Sequence, residues 1–300
     1  MILFPSKKYK LQLCFDDYFV YLKAEAFLAD SSIKKYEEIA GNIIKMFGKE
    51  LDVRRVNNKK IWELKESLNE RGLSETRKNH HLVVIRNLLK FLQKEKGLNV
   101  MSYKKITKFK VRRKPVEYLT EEEITELIDS INTKTFSGKR LKALILSLLS
   151  TGSRISALVS LNIEDIDKEE VAQVRIKGGK IDSIIFSRKA MIAIEEYVRE
   201  RRKRGDKTNY LFSTFGKNPK RWNPKDINRC FKGFAKKVGF KKRFYPHLLR
   251  KTAANLLYKK GASLSVVQKF LTHSSPSVTQ NFYLGDISFE EVKRMHRKVF

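Results

Sequence analysis

The sequence predicts two domains: an all-α helical bundle, then a mainly α domain carrying one small antiparallel β-sheet. Three observations predict it. From residue 11 to residue 97 apolar residues recur at helical spacing and no strand pattern interrupts them. Residues 101–115, MSYKKITKFKVRRKP, hold seven Lys or Arg and no acid, which reads as a basic, extended linker. After it comes a single hairpin signature, VAQVRIK, Gly178-Gly179, KIDSIIF, among otherwise helical stretches. The boundaries drawn are 1–100, 101–115 and 116–300.

In the first domain the chain between Phe15 and Phe27 is apolar and aromatic. Ser31 and Ser32 can cap a second helix through Ile33, Tyr36, Ile39, Ile43, Ile44 and Phe47, which Gly48 stops. Ile61, Leu64 and Leu68 mark a third helix, ended at Gly72. Ser74 opens a fourth, with Leu82, Ile85, Leu88, Leu89 and Leu92 on one face and Gly97 at its close. In the second domain Thr120 and Glu123 have capping-box spacing, ahead of Ile124, Leu127, Ile128 and Ile131. Leu141–Leu149 is almost wholly apolar and should be a buried helix. Helical stretches follow the hairpin at Lys189–Arg202, Pro224–Val238 (capped by Asn223) and His247–Lys260, the last ended by Gly261.

Composition narrows the function classes. The chain has 300 residues and a formal net charge of +31, from 64 Lys+Arg against 33 Asp+Glu, which favours a polyanionic partner, nucleic acid first. With 41% hydrophobic residues it can bury substantial cores. Its two cysteines, Cys14 and Cys230, are far apart and lack metal-ligand spacing, so neither a disulfide framework nor a Cys/His metal site is expected. The low cysteine count suits a reducing cytoplasm. No apolar run is long enough to span a membrane, and MILFPSKKYK does not read as a signal peptide.

Chemistry-bearing residues concentrate in the second domain. Arg154 follows a Thr-Gly turn at the end of the apolar helix, where its planar fork can hold two phosphate oxygens. His247 and Arg250, at i and i+3, share a face in the first turns of a helix, where the dipole favours an anion. Lys177 and Lys180 flank the hairpin turn, and either could reach a DNA groove or protonate an alkoxide. His273 follows an apolar segment and precedes a Ser-Ser-Pro turn. Ser275 and Pro276 can open a short helix ended by Gly285, on which Val278 and Phe282 face the core and Tyr283 stands at its edge. A phenol near pKa 10 needs cationic neighbours to act as a nucleophile, and the two guanidiniums would supply them. His80, His81 and His296 receive no role. No clustered carboxylate set of a metal-dependent nuclease is found.

These segments resemble the tyrosine recombinase, or phage integrase, family. STGSRISAL is similar to its first-arginine box, PHLLRKT to its His-x-x-Arg box, LTHSSPSVTQNFY to its terminal His-to-Tyr box, and IKGGK to its hairpin-lysine motif. The resemblance selects Lys177 over Lys180. It implies the tyrosine recombinase catalytic fold for the second domain and a core-binding, SAM-like domain for the first. It also implies a metal-free and ATP-free reaction through a 3′-phosphotyrosyl intermediate. Tyr283 would be the nucleophile, Arg154 and Arg250 the phosphate clamps and Lys177 the acid. His247 would assist proton transfer, and His273 would hydrogen-bond the phosphate.

The expected partners are double-stranded DNA, further copies of the chain (a dimer per site, a tetramer on two sites) and accessory DNA-binding proteins. The tail after Tyr283 is expected to dock on a neighbouring protomer. The absence of an added arm-binding module points to the Xer-like end of the family, working at the nucleoid in the cytoplasm. Ala157 stands where members often have Glu, Lys251 where many have His, and the His-to-Tyr spacing is ten rather than nine. A type IB topoisomerase, a telomere resolvase and a catalytically silent DNA-binding protein of the same fold are the competing readings.

Overall fold

A computed structural model describes residues 9–26, 28, 30–111, 116–167, 169–175, 181–214 and 216–271. The chain divides into two compact units, Met1–Arg113 and Lys114–Phe300.

The first unit is built on four helices, α1 (Leu11–Ala24), α2 (Asp30–Phe47), α3 (Asn58–Glu70) and α4 (Glu75–Lys94). Each turns one apolar stripe inward. Leu11, Phe15, Tyr18 and Leu22 of α1 meet Ile33, Ala40 and Ile43 of α2, Leu64 and Leu68 of α3, and Ile85, Leu88, Leu89 and Leu92 of α4. Asn57 caps α3 through its side chain, and Gly48, Gly72 and Gly97 adopt positive φ where helices end.

Much of the stretch read as an extended linker is packed against this unit. Ile106 is buried in its core, Tyr103–Lys105 forms a 3₁₀ turn, and Asn79 exchanges two hydrogen bonds with the Phe109 backbone. The apolar residues spaced between the lysines account for this: they anchor the segment while Lys104, Lys105, Lys108 and Lys110 remain exposed.

The second unit holds α5 (Glu121–Asp129), α6 (Phe136–Thr151), α7 (Ile155–Ser160), the strands β1 (Val171–Arg175) and β2 (Ile181–Ile185), and then α8 (Arg188–Lys203), α9 (Pro224–Lys237), α10 (Pro246–Lys259) and α11 (Leu264–Phe270). The strands pair antiparallel, with Val171 opposite Ile185 and Val174 opposite Asp182. The Thr120–Glu123 capping box forms at α5, and Asn223 with Pro224 starts α9. At the centre lies α6: Leu141, Ala143, Leu144, Ile145 and Leu148 are all buried, packed with Ala190, Ile194 and Tyr197 of α8 and Leu248 and Leu249 of α10.

One buried charge organises the far side of this unit. Arg201 is 1% exposed because it continues the inward stripe Ala190, Ala193, Ile194 and Tyr197 of α8. It donates to the carbonyls of Thr208 (2.9 Å) and Tyr210 (2.6 Å) and pairs with Asp206 at 3.2 Å. Burial alone would raise the Asp206 pKa, but hydrogen bonds from Ser213 and Thr208 and the Arg201 charge hold it below the usual carboxylate range. The loop so fixed lies beside α7: Leu211 donates to Leu161, and Arg221 donates to the carbonyls of Val159 and Leu161 at the end of α7.

Replacing Arg201 with Met strands Asp206 in the interior, so the second unit should lose about 3–5 kcal/mol, whereas Arg199→Met on the exposed face should change stability by under about 0.5 kcal/mol. Chemical denaturation of the two variants checks this.

Candidate active site

Helix α6 ends in a left-handed turn at Gly152, φ 56°. Two features reserve that position for glycine. A side chain there would be strained by its backbone, and a Cβ would fall 2.3 Å from the ring of Phe270. Buried hydroxyls fix the turn: Thr151 Oγ1 lies 2.7 Å from the Ser147 carbonyl and 2.9 Å from Ser153 Oγ, and it accepts from the Ser153 amide. The next residue, Arg154, is the N-cap of α7 and is half-buried. Ala157, on the same short helix, packs against the core and offers Arg154 no carboxylate.

Arg250 comes from α10 and is 2% exposed. Its Nη1 donates to the carbonyl of Gly152 at 2.6 Å, and its Nη2 to the carbonyl of Leu271 at 2.5 Å. Gly152 is the C-cap of α6 and Leu271 the C-cap of α11. The guanidinium therefore sits between two helix C-termini, whose orphan carbonyls and negative dipole ends offset the cost of its burial.

Pro246 opens α10 and His247 follows it, one turn before Arg250. His247 is lowered from 6.5 to about 4: loss of water around the ring comes first, then repulsion from Arg250, Lys251 and Arg154. At neutral pH the imidazole is neutral and able to accept a proton.

Arg154, His247 and Arg250 are thus brought together. Lys177, His273 and Tyr283 lie outside the described residues, as do the short helix read around Tyr283 and the tail that follows it. The sequence reading missed α7, the buried Thr151–Ser153 pair and the role of Phe270 against Gly152. The small residues of Ser-Thr-Gly-Ser were a usable signal for a tightly packed turn. Among the described residues there is no group of three or more His, Cys, Asp or Glu that could hold a metal ion, and no helix long and apolar enough to cross a membrane.

Comparison with known proteins bears on this arrangement. The model of the phage integrase family matches residues 117–286. A tyrosine recombinase XerC from Thermodesulfovibrio yellowstonii is 30% identical over 225 residues, covering 72% of this chain and 74% of the relative. A tyrosine recombinase XerD from Oceanobacillus iheyensis is 28% identical over 279 residues, covering 90% of this chain and 93% of the relative. Among solved structures, the Tn1549 transposon integrase in complex with transposon right end DNA superposes with a TM-score of 0.79 at 18% identity, covering 96% of this chain and 99% of that one. The XerH recombinase bound to a palindromic difH substrate gives 0.71 at 20% identity, covering 88% and 79%. At these identities the structural likeness speaks for the fold.

The His247 shift has a thermodynamic consequence. Its folded pKa lies below the unfolded value of about 6.5, so the fold favours the neutral ring. The stability this group contributes is complete above about pH 6.5 and is lost as pH falls toward about 4. Unfolding free energies measured at pH 7 and pH 4.5 should differ less in His247→Gln than in the native chain.

Proposed function

The chain belongs to the phage integrase family, and from that premise we propose that it is a tyrosine-type site-specific recombinase that cuts and rejoins double-stranded DNA. The observation that carries the reading is the convergence of Arg154, His247 and Arg250 in the unit that the family model matches.

The proposed reaction moves every proton and bond through residues of the chain. Tyr283 Oη attacks the scissile phosphorus, and its proton passes to the neutral His247 ring. Arg154 and Arg250 hold the non-bridging oxygens and oppose the charge that builds in the pentavalent transition state. The bond to the 5′ oxygen breaks as Lys177 protonates it, leaving a 3′-phosphotyrosyl link and a free 5′-hydroxyl. His273 hydrogen-bonds the phosphate. The 5′-hydroxyl of a partner strand then reverses the steps. The ester energy stays in the phosphotyrosine, so the scheme needs neither ATP nor a divalent ion; the guanidiniums do what a metal clamp does elsewhere.

The lowered pKa of His247 supports its place in this scheme. With its pKa near 4 the ring is neutral at physiological pH, whereas a ring at the ordinary 6.5 would be partly protonated beside an anionic phosphate before it could accept anything. The arriving phosphate offsets the cations and raises the basicity of the ring when the phenol proton must be taken up.

The partners proposed are DNA, further copies of the chain assembled as a dimer on each site and a tetramer across two, and accessory DNA-binding proteins. The exposed lysines at 104, 105, 108 and 110 support backbone contacts outside the catalytic unit. Work on DNA would place the protein at the nucleoid, in the cytoplasm.

A nicked substrate that loses its short 5′-hydroxyl fragment traps the covalent intermediate. The native chain should give a protein–DNA adduct that EDTA does not diminish, and Tyr283→Phe should give none. An adduct that persists in Tyr283→Phe, or disappears with EDTA, contradicts the proposal. A silent DNA-binding protein would give no adduct. A topoisomerase-like activity would give the adduct, relax supercoils at a single site and leave partner strands unexchanged.

A further inference from the structure

Three consecutive residues at the end of α11 touch three different parts of the second unit. Lys269 Nζ pairs with Asp182 of β2 at 2.7 Å. Phe270 packs its ring against Gly152, two residues before Arg154. The Leu271 carbonyl accepts from Arg250. The last turn of α11 therefore meets the hairpin, the first-arginine turn and the second arginine, two residues ahead of His273.

Asp182 is the unexpected member. Along β2 the exposed residues are Ile181, Ser183 and Ile185, while Asp182 and Ile184 share the inward face. Its cross-strand partner Val174 is 2% exposed, and the Asp182 side chain itself is only 12% exposed. An inward-facing carboxylate gives a two-stranded hairpin no packing advantage; Val or Ile would serve better. Its oxygen accepts from the Ser183 amide and from Lys269. It sits one pair in from the Arg175–Ile181 end of the ladder, five positions after Lys177 in the sequence.

We infer that Asp182 and Lys269 are positioning residues for the proton-transfer step: their ion pair fixes β2 to α11, whose next two residues meet the Gly152 turn and Arg250. This rests on the assignment of Lys177 as the acid that protonates the leaving 5′ oxygen. Without the pair the hairpin keeps its own ladder, but its angle to α11 is no longer fixed. A displaced acid slows only the step that needs a proton.

The test uses that selectivity. Single-turnover cleavage is measured on two trapping substrates, one ordinary and one with the bridging 5′ oxygen replaced by sulfur. Sulfur departs as a stable thiolate and needs no proton donor. Four variants are compared: Asp182→Asn, Lys269→Gln, the exchanged pair Asp182→Lys with Lys269→Asp, and Lys177→Ala. The two single variants should cleave the oxygen substrate about three- to tenfold more slowly than the native chain, keep near-native rates on the sulfur substrate, and be largely rescued by the exchange.

Native rates on oxygen, or an equal loss on both substrates, would overturn the inference. Lys269 is well exposed, so Lys269→Gln keeps the test open should Asp182→Asn fold poorly. If sulfur rescues Lys177→Ala but not the single variants, the positioning role alone falls. If sulfur does not rescue Lys177→Ala, the acid assignment falls and takes this inference with it.

Discussion

A guanidinium buried between two helix ends is the constraint on which the second unit depends. Arg250 reaches from α10 to the last carbonyls of α6 and α11, at 2.6 and 2.5 Å. The two C-termini offset the cost of burying that charge, and the charge in turn ties the ends of the two helices together. Lysine would keep the charge but lacks a planar fork that spans two carbonyls. A guanidinium is also the planar, permanently charged group best matched to a phosphate, which suits Arg250 to the role proposed for it.

The rest of the unit reads as support for that alignment. Helix α7 starts at Arg154 and is held at its far end by Arg221. Arg221 lies on the segment tied back to α8 through Ser213, Asp206 and Arg201. Arg140 stacks on Trp222 at 3.8 Å and donates to the Ser213 carbonyl. A chain with net charge +31 thus buries Arg201 and Arg250 and half-buries Arg140 and Arg221. They satisfy carbonyls at helix ends and loops, where a five-donor group does what several neutral side chains would otherwise have to do. The lysines, which are costlier to bury singly, are left at the surface for a polyanion.

How much of this was legible in the sequence follows from what each signal encodes. Helices α2, α3, α4, α9 and α10 were readable from their apolar period, with Gly48 and Gly72 marking ends and Asn223 with Pro224 opening α9; the Ser31–Ser32 cap fails because α2 already begins at Asp30, and the Asn57 cap of α3 went unread. The hairpin was readable from Gly178-Gly179 between two β-rich runs. The packing of Ile106 and Phe109 within residues 101–115 was not legible, because the two have no helical or strand period and stand among lysines. Arg201 was hidden in RERRKRG, a run that looks uniformly solvated; only its place four residues after Tyr197 on the α8 stripe distinguishes it. At the site, residue chemistry and order named Arg154, His247 and Arg250. That Arg250 joins two helix ends, and that Lys269, Phe270 and Leu271 each meet a separate segment, are long-range contacts that no local pattern carries.

Hydrogen exchange on Arg250→Lys tests the central claim most directly. Native and variant chains of equal helical content would be compared amide by amide. Loss of the bridge should speed exchange at the end of α6 and throughout α11 and leave α8 and α9 unchanged. Native protection at both of those helix ends, in a chain that remains folded, would contradict the account.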